Sequence, residues 1–182
     1  MDILYIIVPA YNESENIKKL IDGWYPVVQS HDGGGKSRLV VINDGSKDNT
    51  YEILQKCAQT RPLLQPLTKE NGGHGPTLIY GYRYAIKNQA DYIFQTDSDG
   101  QTLPEEFEDF WEKRKVYDAV LGNRPDRQDG ASRKFVESTL RLILKLVFGV
   151  SVPDANAPFR LMKRELVEKY IRKRQITRLS LN

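Results

Sequence analysis

The feature that most constrains this chain is a strand–helix alternation over its first hundred residues, in which each apolar run stops abruptly at polar residues. Residues 3–8 are a continuous β-branched and aliphatic run ending at Pro9, as expected of a strand buried on both faces of a parallel sheet. Asn12 or Ser14 is placed to cap a helix through about residue 25, with Ile17, Leu20, Ile21 and Trp24 at helical spacing and Pro26 as its stop. A second run covers residues 38–43. Asp44-Gly45-Ser46 then turns it into a helix from about Asp48, carrying Tyr51, Ile53, Leu54 and Cys57 on its apolar side. Residues 63–67 read as a weaker strand, demoted by Pro62 and Pro66. A helix over 76–88 and a fourth strand over 92–96, ended by Asp97, complete the series. The order β-α-β-α-β-α-β predicts an α/β fold: a mostly parallel central sheet with helices on both faces.

Sheets of this kind bind ligands outside the carboxyl ends of their strands. The unusual polar residues gather there: Tyr11, Asn12 and Glu13 after the first strand, Asp44 after the second, Asp97 and Asp99 after the fourth. One cleft is therefore expected. The second half is less regular. It reads as an amphipathic helix over 104–115, a short strand over 119–122, a polar loop over 125–132, a helix over 133–148, a strand over 158–162 and a basic helix from about residue 164.

Composition narrows the chemistry. A length of 182 residues suits one domain with a real core, residues 1–182. Cys57 is the sole cysteine, which excludes an internal disulfide and a multi-thiolate site, and with His31 and His74 the only histidines a multi-histidine metal centre is not expected. No run of about 18 apolar residues occurs, and the N-terminus lacks a basic region followed by a long apolar one. A cytoplasmic protein is expected, without a nucleic-acid partner. The net charge of +3 is unevenly placed: residues 1–100 carry 10 Lys/Arg against 12 Asp/Glu, residues 101–182 carry 17 against 12. The basic half is either a solvated surface or a face that meets phosphate, pyrophosphate or an acidic membrane.

Three stretches can carry chemistry. In Asp97-Ser98-Asp99-Gly100-Gln101, carboxylates at i and i+2 leave a strand on the same side if the chain stays extended. With Gln101 as a further oxygen, Asp97 and Asp99 suit Mg²⁺ or Mn²⁺, which take oxygen ligands and keep waters and substrate phosphates. The bland alternative is a polar turn. Asp44 can accept from a nucleobase N–H, while Asp-Gly-Ser is equally good turn chemistry. The amides of Asn71-Gly72-Gly73-His74-Gly75, with the following helix N-terminus, can face a diphosphate, or the glycines simply turn the chain. His74 is not expected to be catalytic. Gly33-Gly34-Gly35-Lys36-Ser37 is a decoy for a P-loop: Ser30 stands where the pattern needs glycine, and a strand follows the stretch instead of preceding it. No G-x-G-x-x-G follows the first strand.

Together, Ile7-Val8-Pro9-Ala10-Tyr11-Asn12-Glu13, the run Val41 to Thr50 around Asp44-Gly45-Ser46, and Asp97-Ser98-Asp99-Gly100-Gln101 resemble the family 2 glycosyltransferases. Gly122-Asn123-Arg124, Asp154 and Phe159-Arg160 resemble the dolichyl/polyprenyl-phosphate sugar synthase branch. The resemblance implies a GT-A (Rossmann-like) fold, a nucleotide-diphosphate sugar donor such as a UDP- or GDP-sugar, and an inverting transfer. It implies that Pro9, Ala10, Tyr11, Glu13 and Asp44 hold the nucleoside, that Asp97, Asp99 and Gln101 hold Mg²⁺ or Mn²⁺ on the diphosphate, and that Arg124 and Arg160 meet the diphosphate or an anionic acceptor.

A lipid-phosphate acceptor is already anionic and needs arginines, whereas a saccharide hydroxyl needs a general base. Arg124, Arg127, Arg133, Arg141 and Arg160 are present without an obvious Glu-Asp base motif, which leans toward the phosphate. Asp154 is the candidate base for an alcohol. Residues 133–148 are read either as a core helix or as a membrane-surface helix beside a polyprenyl tail, which would place the protein at the cytoplasmic membrane face. A non-catalytic nucleotide-sugar-binding fragment is the alternative of another class. Residues 1–103 form the expected donor half and 104–182 the acceptor half, expected to be truncated at its C-terminus.

Overall fold

The computed structural model of the chain describes residues 2–99, 103–122 and 159–179, with side chains to residue 171. Its strands are β1 (Leu4–Ala10), β2 (Arg38–Asp44), β3 (Leu64–Lys69), β4 (Tyr92–Gln95), β5 (Ala119–Leu121) and β6 (Arg160–Lys163). The helices are α1 (Ile17–Ser30), α2 (Thr50–Ala58), α3 (His74–Lys87), α4 (Phe107–Lys113, entered through a 3₁₀ turn at Pro104–Glu106) and α5 (Arg164–Leu179). The six strands lie in the order β3-β2-β1-β4-β6-β5. The first four are parallel, and β6 runs antiparallel to both β4 and β5. The α/β expectation is borne out.

Strand alternation sends side chains to opposite faces. Leu4, Ile6, Val8, Leu39, Val41 and Phe94 enter one core, under α1, α2 and α4. Tyr5, Ile7, Val40, Ile42 and Ile93 enter the other, under α3 and α5. Because β1 and β2 are covered on both sides, their runs are continuously apolar. Pro66 falls on β3, the edge strand, where a missing donor is tolerated.

Pro9 interrupts the central strand without breaking it. Odd residues of β1 turn their backbone groups toward β4, as the bond from Thr96 N to Ile7 O (3.1 Å) shows. The register between β1 and β4 ends at Ile7 opposite Gln95, so the absent N–H of Pro9 lies just past the pairing. There β1 and β4 part. Chain order also reverses there, since β2 and β3 lie on one side of β1 and β4 on the other; such a switch point opens the crevice for a ligand.

Two expected boundaries are corrected. Pro26 does not stop α1, which runs to Ser30 with Pro26 inside it. Residues 22 and 26 are both exposed, so the carbonyl robbed of its donor faces water, while Tyr25 and Val28 stay in the core. Neither Asn12 nor Ser14 caps α1; instead the Glu13 carbonyl accepts from the Asn16 and Ile17 amides at 3.0 and 2.8 Å.

Candidate active site

The carboxyl ends of β1, β2 and β4 carry the residues singled out from sequence, and the loops that follow are bonded to one another. Asn12 takes a left-handed backbone (φ 55°), which asparagine tolerates better than most residues. Its amide donates to Ser46 Oγ (2.9 Å), and its side-chain oxygen accepts from the Lys47 amide (2.9 Å). The Glu13 amide donates to Thr50 Oγ1 (2.9 Å) and the Ser14 amide to Asp48 (3.1 Å). Burial pushes the Asp48 carboxyl up, but donors from Thr50 and Ser14 outweigh it and bring its pKa down to about 2. Tyr11, beside these bonds, is 45% exposed.

Glu13 also reaches across the switch point. One oxygen accepts from Asn16 Nδ2 (3.1 Å) and the other from Ser98 Oγ (3.2 Å). Ser98 is buried, whereas Asp97 is partly and Asp99 largely exposed. The chain has left β4 at Gln95 and bends at Ser98 and Asp99, and the Oδ1 of Asp97 is itself buried. His74, the first residue of α3, brings Nε2 to 3.9 Å from Asp97 Oδ1. A hard divalent cation needs only one or two carboxylates when substrate phosphates and waters complete its shell. Asp97 and Asp99 fit that requirement, although among the described residues no group of three His, Cys, Asp or Glu is assembled for a metal.

Asp44 is bonded within the protein on both of its oxygens. Its side chain is 5% exposed. It pairs with Lys69 and accepts the Gly72 amide on Oδ1 (3.0 Å) and the Gly73 amide on Oδ2 (2.9 Å). Burial works to raise its pKa, but Lys69, Gly72, Thr77 and Gly73 together hold it below the ordinary carboxylate value. The Gly72 amide, expected to face a diphosphate, is thus turned onto Asp44. Gly45 permits this clasp: its φ is +66°, and a Cβ there would lie 2.7 Å from the Asn71 nitrogen.

Arg160 opens β6 opposite Gln95, the last residue of β4. Beneath them, the Tyr82 hydroxyl of α3 bonds the Gln95 side chain. Burial pushes the Tyr82 pKa up to about 12, with Arg160 pulling it down and Asp97 pushing it further up. Arg160 thus stands beside the end of β4, opposite the residue two before Asp97. Gln101, Arg124 and Asp154, and the loop and helix expected over 125–148, lie outside the described residues.

Sequence reasoning missed the bonds that hold these loops: Ser46, Asp48 and Thr50 under the first loop, Lys69 under Asp44, and Tyr82 under Gln95. Asp48-Asn49-Thr50 carries a local signal, since an aspartate whose side chain accepts the amide two residues on forms an Asx turn. Lys69 has none until the register is known, when it stands opposite Asp44 across β2 and β3.

A family model described as glycosyl transferase family 2 matches residues 5–171. The undecaprenyl-phosphate 4-deoxy-4-formamido-L-arabinose transferase of Pectobacterium atrosepticum is 26% identical over 170 residues, covering 92% of this chain and 50% of that protein. The protein of the same name from Shewanella sediminis is 28% identical over 171 residues, covering 92% and 50%. The chain spans about half the length of these curated relatives. Among solved structures, glucosyl-3-phosphoglycerate synthase from Mycobacterium tuberculosis with Mn²⁺, UDP and phosphoglyceric acid aligns with a TM-score of 0.67 at 19% identity, over 91% of this chain and 57% of that one. S. aureus TarS in complex with UDP-GlcNAc aligns with a TM-score of 0.60 at 20% identity, over 93% and 47%. These likenesses bear out the expected GT-A architecture.

Proposed function

Since the chain belongs to glycosyl transferase family 2, we propose that it forms the donor-binding part of an enzyme moving a sugar from a nucleoside diphosphate to a polyprenyl phosphate. The observation that carries this reading is the Glu13–Ser98 bond, which joins the β1 loop to the Asp97–Asp99 turn across the switch point. That bond supports a single crevice with the nucleoside on one wall and the diphosphate on the other. Pro9, Ala10, Tyr11 and Glu13 form the nucleoside side, with Asp44 at its far end. Asp97 and Asp99 form the diphosphate side, and each offers a hard oxygen.

A divalent cation held by Asp97 and Asp99, Mn²⁺ or Mg²⁺, would act as a Lewis acid on the charge that grows on the departing nucleotide. The chain's own residues do the rest. Tyr11 stacks on the flat base, and Glu13 keeps the two loops at fixed spacing. Arg160, opposite Gln95 at the end of β4, meets the anionic acceptor. An arginine suits a phosphate nucleophile, which needs charge complementarity and no base. The relatives support this choice, being named for undecaprenyl phosphate, and the Mycobacterium tuberculosis enzyme was solved with an anionic acid beside UDP and Mn²⁺. A lipid-borne acceptor implies work at a membrane face. Among the described residues no helix is long and apolar enough to cross one.

Calorimetric titration of UDP and GDP in the presence of Mn²⁺ tests the reading. One nucleotide is expected to bind the intact chain, and Asp99→Ala to weaken it by at least about tenfold, as the loss of a charged ligand contact does. If neither nucleotide binds, the donor site is sunk; if Asp99→Ala binds as tightly with Mn²⁺ as the intact chain, the metal role is.

A further inference from the structure

The last residue of β4 carries a polar side chain into an apolar layer, and the donor reading gives it no part. Gln95 is 2% exposed. Ile93, two residues earlier on the same face of the strand, lies in the core under α3 and α5. Gln95 therefore faces α3, where the Tyr82 hydroxyl donates to its Oε1. On one side it stands beside Ile7 of β1 in the parallel register. Gly81 of α3 closes over that isoleucine so tightly that a Cβ on it would lie 2.5 Å from Ile7 Cγ2. On the other side Gln95 stands opposite Arg160 of β6.

Residues directly opposite in an antiparallel pair share a face, with Cβ atoms about 4.5–5.5 Å apart. The neighbouring pairs obey this: Phe94 and Leu161 both enter the core under α1, α2 and α4, while Ile93 and Met162 both pack under α3. Gln95 and Arg160 thus lie side by side on the α3 face. With Oε1 taken by Tyr82, Gln95 has its amide nitrogen left, which makes no hydrogen bond among the described residues. That nitrogen is not one of the atoms sealed off without a partner, so the small opening left to Gln95 includes it. Tyr82, Ile7 and Arg160 flank the side chain, and the direction that remains is past the end of β4, where β1 and β4 part. An amide N–H beside a guanidinium is a pair of donors, one of them charged, which suits an oxyanion.

Resting on the donor reading above, we propose that Gln95 is a further acceptor contact: its amide nitrogen, set by Tyr82, donates together with Arg160 to one phosphate monoester. The pair sits on the β6 side of β4, whereas the nucleoside wall lies on the other side, at the ends of β1 and β2. The phosphate it meets is therefore the acceptor's and not the donor's. Tyr82 is a positioning residue, acting only through Gln95. A buried amide costs desolvation unless its N–H groups are met, and a bound phosphate oxygen meets them.

The test titrates two probes by calorimetry in Mn²⁺: the nucleotide that binds, UDP or GDP, and geranyl monophosphate, a short polyprenyl phosphate. The intact chain should bind both. Gln95→Leu should weaken geranyl monophosphate about tenfold, the worth of a hydrogen bond to a charged group, and leave the nucleotide within about twofold. Gln95→Glu keeps the shape but sets a negative charge against the phosphate. It should weaken geranyl monophosphate further, and it carries the test if the leucine variant does not fold. Tyr82→Phe keeps the ring and frees the amide, and should cost about threefold on geranyl monophosphate alone. Undiminished binding of geranyl monophosphate by the Gln95 variants, or a loss shared equally by the nucleotide, overturns the proposal and makes the Tyr82–Gln95 bond a structural support only. An intact chain that binds nucleotide but not geranyl monophosphate overturns it too. An intact chain that binds neither nucleotide is instead the failure of the donor reading itself, and removes this proposal with it.

Discussion

The two faces of the sheet are built from different materials and serve the crevice differently. Under α1, α2 and α4 lies an aromatic core: Trp24, Phe94, Phe107, Phe110 and Phe159 touch in tilted and edge-on pairs, with Phe94 and Phe107 at 4.9 Å and Trp24 and Phe159 at 5.7 Å. Under α3 the core is largely aliphatic, from Ile7, Val40, Ile42, Leu78 and Ala85, and the helix comes very close to the strands. A Cβ on Gly81 would lie 2.5 Å from Ile7 Cγ2 and 2.6 Å from Ile42 Cδ1. The aromatic face supplies bulk and hence stability. The aliphatic face supplies proximity, and α3 brings His74 and the Gly72–Gly73 loop to the crevice.

The sharpest way to break this division is to empty the aromatic face. Phe107 is fully buried and contacts Trp24, Phe94, Trp111 and the His31 ring. Phe107→Ala should cost about 3–5 kcal/mol of stability, read as a lowered midpoint in urea. Nucleotide affinity, measured well below that midpoint, should stay unchanged. A loss of affinity in a chain that is still folded would mean that the two faces are not separable.

Gly81→Ala attacks the other face. The added methyl has no room and must push α3 away from Ile7 and Ile42, at about 1–3 kcal/mol. Here affinity should fall together with stability, because the displaced helix carries the loop that clasps Asp44. Gly75→Ala, at a position on the same helix where a Cβ meets nothing within 4 Å, is the control: it should be neutral or stabilising by up to about 1 kcal/mol. If Gly81→Ala lowers the unfolding midpoint and leaves nucleotide binding intact, close packing of α3 is not what places the loop.

Much of this was legible in the residues. The four parallel strands and the switch from apolar run to polar tip follow from local periodicity, which a sequence displays directly. Pro26 misled because its effect depends on which side of α1 it occupies. The clasp at Asp44 escaped for a different reason: Lys69, Gly72 and Gly73 are 25 to 29 residues away along the chain, and only the parallel register of β2 and β3 brings them together. Read locally, Asn71-Gly72-Gly73 offered free amides to a phosphate. In the fold those of Gly72 and Gly73 are engaged by a carboxylate.

Each face also anchors its loop with one carboxylate, Asp44 on the α3 side and Asp48 on the α2 side, and the smallest of these effects sharpens that parallel. Asp48 accepts from the Thr50 and Ser14 amides, both at 3.1 Å, and so ties the start of α2 to the loop before α1. Its pKa is about 2 in the folded chain against an ordinary 3.8. A depressed carboxylate binds its proton more readily when unfolded, so its stabilisation is complete above pH about 4 and is lost as pH falls through 2. Asp48→Asn keeps the shape and removes the charge. It should lower stability at pH 7 by about 1 kcal/mol, the usual worth of one hydrogen bond, and flatten the acid arm of the stability profile between pH 4 and 2. Nucleotide affinity should not change, because Asp48 braces the loop from behind through the Ser14 and Thr50 amides. An acid arm identical to that of the unaltered chain would show that Asp48 carries no folding-linked proton and that the two carboxylates are not counterparts.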